Sequence, residues 1–450
     1  MPLILGTNSI KDTGFDVANS LRFNDGSSDH LNRTPSSSGN RKTWTWSSWV
    51  KKSTIGSGYQ FLFSCTDAST STGSIGTNYD GDNKIYFRDD LISLNLTPNA
   101  VHRDTSAWSH IVVALDTTQS TASNRAKMYI NGTQVTSFST ETYPSQNTDG
   151  SINLVSGSYV HRIGSYSASG NFFDGYLAET VFIDGTALDP TSFGEFDEDS
   201  GIWKPKNVSG LTFGTNGFYL DFENSGSLGA DVSGNGNNFT VNNLTSIDQS
   251  TDTCTNNFCT LNPLSKGTIT LAEGNLQWQG SGDNGGKGTF LITKGKWYWE
   301  MKRGDSENAV GLGVAISNWT NTVDASSGEA WFGYHGQGYK VSGTGGEVSY
   351  GTSFTNNDII SVLFNADDGI LAFYKNGVSQ GNAFTGLTDS EGYVPIYFTF
   401  RTSVTNYMNF GSPIHSISSG NSDANGYGNF EYAVPSSYYS LCTKNLAEYG

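Results

Sequence analysis

A pattern that occurs twice in the sequence limits the folds that this chain can adopt. In each copy a long apolar strand leads through a polar turn into the sequence Tyr-x-Asn-Gly. The first copy follows the apolar run at 108–116 and ends at Asn131-Gly132, and the second follows the run at 358–365 and ends at Asn376-Gly377. Asn-Gly between alternating apolar runs predicts a β-hairpin, because both central residues of a type I′ turn need positive φ. The repetition predicts two domains built to one plan.

Length and residue content agree with this interpretation. A chain of 450 residues is too long for one compact core, and its 54 glycines and 13% aromatic residues are typical of short strands joined by many turns. Residues 43–50 alternate with period two, as half-buried strands do. We therefore predict an all-β fold with two antiparallel β-sandwich (jelly-roll) domains in tandem.

The domain boundaries follow from shifts in composition. Gly, Asn, Ser and Thr dominate residues 225–266, which predicts a linker or loosely packed bridge. The tyrosines near the C-terminus indicate docking onto a surface, because disordered segments carry few aromatics. We predict an N-terminal arm at 1–15, a first sandwich at 16–224, the linker at 225–266, a second sandwich at 267–415 and a C-terminal tail at 416–450.

The charge and the termini exclude several kinds of partner. A net charge of −17 repels phosphate backbones, so we expect no nucleic-acid partner. The apolar start of the chain is too short for a signal peptide, and no stretch reaches the roughly 20 apolar residues of a membrane span. We expect a protein made in the cytoplasm without a signal peptide and without membrane insertion.

The four cysteines are too few and too scattered for a disulfide framework or a zinc site. Free thiols are favoured, while a bridge between Cys254 and Cys259 stays open.

The first predicted domain resembles the laminin-G-like, concanavalin A-like family. The phrases that carry the resemblance are Asn19-Ser20-Leu21-Arg22-Phe23-Asn24, the strand ending Ser47-Ser48-Trp49-Val50, and Phe173-Asp174-Gly175-Tyr176-Leu177-Ala178.

The second predicted domain resembles SPRY domains. Its phrases are Gly295-Lys296-Trp297-Tyr298-Trp299-Glu300, Val310-Gly311-Leu312-Gly313-Val314-Ala315 and Ala330-Trp331-Phe332-Gly333-Tyr334. Both resemblances imply two-sheet antiparallel sandwiches.

The chain as a whole is similar to marine phage virion fibre proteins that join these two modules. The shared phrases include Ala187-Leu188-Asp189-Pro190-Thr191-Ser192-Phe193 and Leu441-Cys442-Thr443-Lys444-Asn445-Leu446. This resemblance implies a place in the virion, contact with other virion proteins and, by analogy, a homotrimer.

Catalysis is not expected. A retaining glycosidase needs two carboxylates about 5 to 5.5 Å apart, and the nearest candidate is the stretch from Glu195 through Asp197 to Ser200. It lacks the second Glu of the laminarinase-like pattern and lies in turn-rich chain, so a solvated acidic loop is favoured. The sequence contains neither the Gly-x-Ser-x-Gly nucleophile elbow of serine hydrolases nor the His-Glu-x-x-His motif of zinc proteases. A polysaccharide depolymerase is the less favoured alternative.

Calcium is the one candidate cofactor. Asp80 with Asp82, and Asp231 with Asn235, offer oxygen ligands, and laminin-G-like folds often hold a calcium at a loop rim. Calcium takes six to eight oxygens, so each cluster would need ligands from distant loops. An Asx-type turn is the favoured alternative at both places.

Aromatic side chains of the SPRY-like part are the candidate carbohydrate-binding residues. Trp319 lies in a polar segment, where we expect it to be exposed, and four candidates follow it: Trp331, Tyr334, His335 and Tyr339. Packing in the core is the alternative for Trp331 and Tyr334.

The predicted function is a virion-surface or tail-fibre adhesin for host glycans. The alternative is a structural capsid-decoration or tail-assembly protein, because sandwich rims serve both purposes.

Overall fold

The computed structural model describes residue 4 and residues 9–56, 58–66, 72–78, 81–155, 159–305, 309–324, 327–400 and 404–450. The chain divides into two units. The N-terminal domain is Thr13–Thr255, and the C-terminal domain is Asn256–Gly450 together with Met1–Asp12. Both are built from antiparallel sheets, with a short helix, α1 (Thr443–Tyr449), near the C-terminus. The all-β prediction is confirmed.

The N-terminal domain contains two eight-stranded sheets and a small hairpin, with strands numbered in chain order. Sheet A has the order β10 (Thr133–Gln134), β9 (Ala126–Ile130), β8 (Ser109–Asp116), β3 (Thr43–Lys52), β13 (Gly175–Asp184), β1 (Ser20–Phe23) and β18 (Gln249–Ser250), with β16 (Phe218–Leu220) paired to β13. Sheet B has the order β11 (Phe138–Thr142), β7 (Leu94–Pro98), β6 (Tyr86–Asp89), β5 (Thr72–Thr77), β4 (Gln60–Thr66), β12 (Val160–Ile163), β2 (His30–Arg33) and β17 (Thr240–Asn242). The hairpin joins β14 (Gly194–Phe196) to β15 (Trp203–Pro205).

The C-terminal domain also contains two sheets. Sheet C has the order β19 (Leu261–Lys266), β22 (Asn284–Gly288), β31 (Tyr393–Thr399), β24 (Val310–Ile316), β25 (Trp331–His335), β26 (Tyr339–Ser342) and β27 (Gly346–Ser349). Sheet D has the order β20 (Thr270–Ala272), β21 (Gln277–Gly280), β32 (Val404–Asn409), β23 (Lys296–Arg303), β28 (Ile359–Asn365), β29 (Ile370–Lys375) and β30 (Val378–Phe384), with β33 (Tyr439–Ser440) paired in parallel to β23.

Both Asn-Gly hairpins form as predicted. Asn131 and Gly132 have φ values of 47° and 76° between β9 and β10. Asn376 and Gly377 have φ values of 50° and 76° between β29 and β30. These are the two consecutive left-handed residues that a type I′ turn requires.

The segment expected to be a linker is instead packed into the two domains. Leu228 and Phe239 belong to the N-terminal core, and β17 extends sheet B. Farther along, the carboxylate of Asp248 binds Arg22 at 2.8 Å. Few apolar residues occur in this stretch, but several of them, including Leu228 and Phe239, lie in the core, and the buried pair of Arg22 with Asp248 adds a further contact. The boundary lies between Thr255 and Asn256, within the predicted linker.

The C-terminal tail docks onto its own domain, as its tyrosines predict. Both carboxylate oxygens of the fully buried Glu300 accept hydrogen bonds from the backbone, from the N–H of Glu431 at 3.0 Å and from the N–H of Tyr432 at 3.0 Å. Phe430 packs edge-on against Tyr298 with ring centroids 5.0 Å apart. In the predicted N-terminal arm, Ile4 forms an isolated bridge with Phe290 of the C-terminal domain.

All four cysteines are free thiols, so Cys254 and Cys259 are not bridged. Within the described ranges, no helix has the length and apolar character that crossing a membrane requires.

Candidate functional site

A cleft of about 230 Å³ opens on the face of sheet B that points away from the N-terminal core. Its walls combine four aromatic rings with charged and polar side chains. The lining residues are Tyr59, Phe61, Ser74, Tyr86, Arg88, Asp90, Tyr166 and Asn171. A concave site with apolar walls and a few convergent polar groups is the usual form of a small-ligand site.

Strand alternation determines which residues of sheet B reach this cleft. On β6, Phe87 points into the core, whereas Tyr86 and Arg88 point to the opposite face. On β5, Ile75 lies in the core, and Ser74, which pairs with Arg88, faces the cleft. Two neighbouring strands therefore present one continuous polar and aromatic surface.

A glycine makes room for the floor of the cleft. Gly76 pairs with Tyr86 across the two strands. A Cβ atom at position 76 would lie 2.2 Å from Tyr86 Oη and 2.4 Å from Tyr86 Cζ. The ring of Tyr86 can therefore lie against the sheet only because residue 76 has no side chain.

The four rings form a connected cluster. Phe61 and Tyr86 form the floor, with ring centroids 5.8 Å apart in an edge-on arrangement. Tyr59 meets Tyr86 at 6.3 Å, and Tyr166 meets Phe61 at 5.0 Å. Tyr59 and Tyr166 are half-buried, whereas the two floor residues are buried. The two wall tyrosines are thus the rings that a ligand can contact over a broad surface.

An ion pair stands beside the rings. Arg88 Nη2 lies 3.3 Å from Asp90 Oδ1, and both side chains are partly exposed. Next to it, the carboxylate of Asp89 is buried and accepts hydrogen bonds from the backbone N–H of Ser151 at 2.6 Å and from Ser151 Oγ at 2.8 Å. These bonds anchor the end of β6 on the core side of sheet B. They thereby fix the backbone positions of Arg88 and Asp90.

The expectation that Trp319 is exposed is wrong. Its side chain is only 2% exposed and packs against Trp331, with ring centroids 6.2 Å apart. Its Nε1 donates to the carbonyl of Thr322 at 3.1 Å, and its ring lies over Gly285, where a Cβ would approach within 2.5 Å. The polar residues around Trp319 belong to a loop, and the side chain of Trp319 packs from this loop against sheet C.

The other candidate sugar-binding residues do not form an open site. Trp331, Tyr334 and His335 are fully buried, so the core alternative for Trp331 and Tyr334 is confirmed. Tyr339 is 39% exposed and stacks on His335 at 5.7 Å. Of the five candidates, Tyr339 is therefore the one whose ring is accessible.

The Asp231 cluster forms a turn rather than an open set of ligands. Asp231 Oδ1 accepts from the N–H groups of Ser233 and Tyr219, both at 2.9 Å, and Oδ2 accepts from the N–H of Asn237 at 2.7 Å. Asn235 points its Nδ2 at the carbonyls of Gly214 and Gly217. The bond from Ser233 confirms the Asx-type turn that was the favoured alternative.

Of the other calcium candidates, Asp80 lies outside the described residues. Asp82 Oδ1 accepts from the N–H of Lys84 at 3.0 Å, which is again an Asx turn. The ammonium group of Lys52 is buried nearby and donates to Asn78 Oδ1 and to the carbonyl of His102. In the described part of the chain, no three His, Cys, Asp or Glu residues are grouped as a metal site would need.

The acidic stretch that begins at Glu195 is a hairpin and its turn. Glu195 lies on β14, not in the loop that we expected, and faces Lys204 and Lys206 at 3.8 Å each. Asp197 accepts from the N–H and Oγ of Ser200 in the turn, and these hydrogen bonds lower its pKa to about 2. A general acid needs a raised pKa, so Asp197 is not suited to that role.

A buried Ser–His pair lies in sheet A, with Ser47 on β3 and His110 on β8. His110 lies with Nε2 2.8 Å from Ser47 Oγ, and its Nδ1 lies 3.0 Å from Trp203 Nε1. Because the indole N–H can only donate, Nδ1 accepts and Nε2 carries the proton toward Ser47. A base that activates serine requires the opposite tautomer, and burial lowers the pKa of His110 to about 3. The pair is a structural contact.

Comparison with known families identifies both domains. Residues 25–191 match the concanavalin A-like lectin/glucanases superfamily, and residues 296–413 match the SPRY domain. The chain therefore contains a concanavalin A-like domain and a SPRY domain, and both resemblances stated from sequence are confirmed.

Two curated proteins show partial similarity. The probable ATP-dependent RNA helicase ddx1 of Dictyostelium discoideum is 37% identical over 126 residues, which are 28% of this chain and 16% of that protein. The Ran-binding protein 9 of Xenopus tropicalis is 34% identical over 98 residues, which are 21% of this chain and 18% of that protein. The chain thus spans less than a fifth of each relative.

Among solved structures, the SPRY domain of human HERC1 aligns at 16% identity and a TM-score of 0.29, covering 33% of this chain and 96% of that one. The PSpry domain of TRIM65 aligns at 16% identity and a TM-score of 0.28, covering 34% of this chain and 88% of that one.

Proposed function

We propose that this chain, which joins a concanavalin A-like domain to a SPRY domain, is a non-catalytic binding protein whose N-terminal domain holds carbohydrate in the aromatic cleft of sheet B. The observation that carries the proposal is the placement of Tyr59 and Tyr166 as accessible walls beside the Arg88–Asp90 pair. Aromatic faces pack against the C–H surfaces of a sugar ring, and the pair supplies donors and acceptors for its hydroxyl groups.

The test is a screen of the purified chain against bacterial surface polysaccharides, repeated with Tyr166→Ala. Loss of one stacking ring should weaken binding about tenfold, which corresponds to about 1.4 kcal/mol. Tyr339→Ala is the matched control, because it removes an exposed tyrosine from the C-terminal domain. A glycan whose binding is lost only with Tyr339→Ala would assign the site to the C-terminal domain instead.

Protein binding by the C-terminal domain is a second candidate. Val348 on β27 is 48% exposed and Val378 on β30 is 65% exposed, and both strands are at sheet edges. Exposed apolar side chains on unpaired edges favour contact with another protein. If the chain binds no glycan but binds another virion protein through these edge strands, its role is structural.

The place of the protein in a phage particle is part of the proposal and rests on the sequence phrases alone. A tail-fibre or particle-surface protein would contact other virion proteins and, by analogy, form a homotrimer. Sedimentation equilibrium tests the second point, because a trimer and a monomer of 48.4 kDa chains differ threefold in mass.

A further inference from the structure

We propose that Asp90 is a specificity-determining residue that restricts the aromatic cleft to uncharged sugar residues by neutralising Arg88 and repelling sugars that carry a carboxylate or sulfate. This inference rests on the proposed function, because it names the class of carbohydrate that the same cleft accepts.

The charges at the cleft cancel. Arg88 and Asp90 are the two ionisable lining residues that are charged at neutral pH, and their Nη2 and Oδ1 atoms lie 3.3 Å apart. The side chain of Asp90 is 49% exposed and that of Arg88 is 30% exposed. The carboxylate is therefore the more exposed of the two charges, and an arriving anion meets it together with the guanidinium.

Charges of both signs occur around the cleft, whereas the chain as a whole is acidic. Arg162 lies in register with Ser64 and Ser74 on the cleft face of sheet B, and Asp89 faces the core, where Ser151 binds its carboxylate. The whole chain has 42 acidic and 25 basic side chains, for a net charge of −17. An anionic sugar thus gains no net attraction at the cleft and meets repulsion from the protein as a whole.

A neutral sugar gains from the same arrangement. Two adjacent hydroxyl groups present one donor and one acceptor at close spacing, and the paired carboxylate and guanidinium present the complementary acceptor and donor. The ring can pack against Tyr166 or Tyr59 at the same time. The ion pair therefore favours binding of a vicinal diol and disfavours binding of an acidic sugar. Specificity then comes from an attractive interaction with one ligand class and an unfavourable one with the other.

The experiment compares two oligosaccharides by calorimetric titration, a neutral glucan fragment and a galacturonate fragment of equal length. The wild-type chain should bind the neutral fragment more tightly. Asp90→Asn should shift the preference about tenfold toward the galacturonate, with the shift reduced at high salt because exposed charges are screened. Asp82→Asn is the matched control, since it removes the same charge from another partly exposed ion pair of the domain, that of Asp82 with Lys84.

Tighter binding of the galacturonate by the wild-type chain, or an unchanged preference in Asp90→Asn, would overturn the role of Asp90 and leave carbohydrate binding in place. Binding of neither fragment, nor of any other glycan, by the wild-type chain would overturn the proposed function and this inference with it. A thermal melt of each variant verifies that its fold is retained.

Discussion

The ammonium group of Lys51 and the carboxylate of Asp252 lie 2.7 Å apart, and both side chains are only 1% exposed. The other carboxylate oxygen of Asp252 accepts from Trp108 Nε1 at 3.0 Å. This buried contact joins the last residues of the N-terminal domain to the centre of sheet A. A segment that looks like a linker in sequence is thereby made part of the fold.

Lys51→Met should destabilise the N-terminal domain by about 3–5 kcal/mol, because it leaves the Asp252 carboxylate buried without its cation. Scanning calorimetry, which can resolve the unfolding of separate domains, measures the effect. Lys206→Met is the control, because Lys206 is an exposed side chain that pairs with Glu195 at 3.8 Å and donates to the carbonyl of Thr191, and we expect a change below about 0.5 kcal/mol. Equal effects of the two variants would contradict the structural role of the buried pair.

Glu179 makes the stability of the same domain depend on pH. It is 7% exposed, lies in β13 with φ at 49°, and accepts a hydrogen bond from Tyr219 Oη at 2.6 Å. Burial raises its pKa from the ordinary 4.5 to about 7. A carboxyl group whose pKa is raised in the folded state favours folding while protonated, so stability should fall as the pH rises from about 4.5 to about 7.

Glu179→Gln should remove this loss, which amounts to at most about 3 kcal/mol. Denaturant melts at pH 4 to 8 would show a flatter profile for the variant than for the wild type, with the larger gain at high pH. Glu195→Gln, at an exposed position, should keep the wild-type profile. Parallel profiles for Glu179→Gln and the wild type would show that Glu179 does not titrate in this range.

Sequence patterns predicted the architecture well where the signal is local. The Asn-Gly turns and the tyrosine-bearing tail depend on residues close together in the chain, and both are confirmed. The prediction of a half-buried strand at 43–50 is wrong, because β3 is buried on both faces from Trp44 to Lys52. The linker prediction differs from the structure because it depended on average composition. A few apolar side chains, such as Phe239, and two buried ion pairs, Arg22–Asp248 and Lys51–Asp252, connect that segment to the domain.

The sequence indicated only some of the residues that line the cleft. The alternation in Tyr86-Phe87-Arg88 shows that Tyr86 and Arg88 share one face of a strand. Tyr59 and Tyr166 lie before β4 and after β12, and only the tertiary fold brings their rings to that face. The sequence instead drew attention to Trp319, whose polar neighbours suggested exposure although its own ring is buried.

Trp319→Ala should therefore act on stability and not on glycan binding. Removing a fully packed indole from beside Trp331 should cost the C-terminal domain about 3–5 kcal/mol. Calorimetry of the variant would show a lowered transition for that domain, with glycan affinity unchanged at temperatures where it is folded. A stable variant that has lost glycan binding would restore Trp319 as a contact residue.

Glu300→Gln should loosen the C-terminal tail locally, at Glu431 and Tyr432. A Gln side chain has one acceptor oxygen in place of two, so the N–H groups of Glu431 and Tyr432 cannot both keep their bonds. Hydrogen exchange at these two amides should accelerate at least tenfold relative to the wild type. Glu391→Gln, at an exposed position, serves as the control and should leave both rates unchanged.

Hydrogen–deuterium exchange of the intact chain, with and without a bound neutral oligosaccharide, locates the carbohydrate site. We predict protection in the peptides that contain Tyr59, Tyr86 and Tyr166, and none in the peptide that spans Trp331 to Tyr339. Protection confined to the C-terminal domain would show that the aromatic cleft of sheet B is not the site.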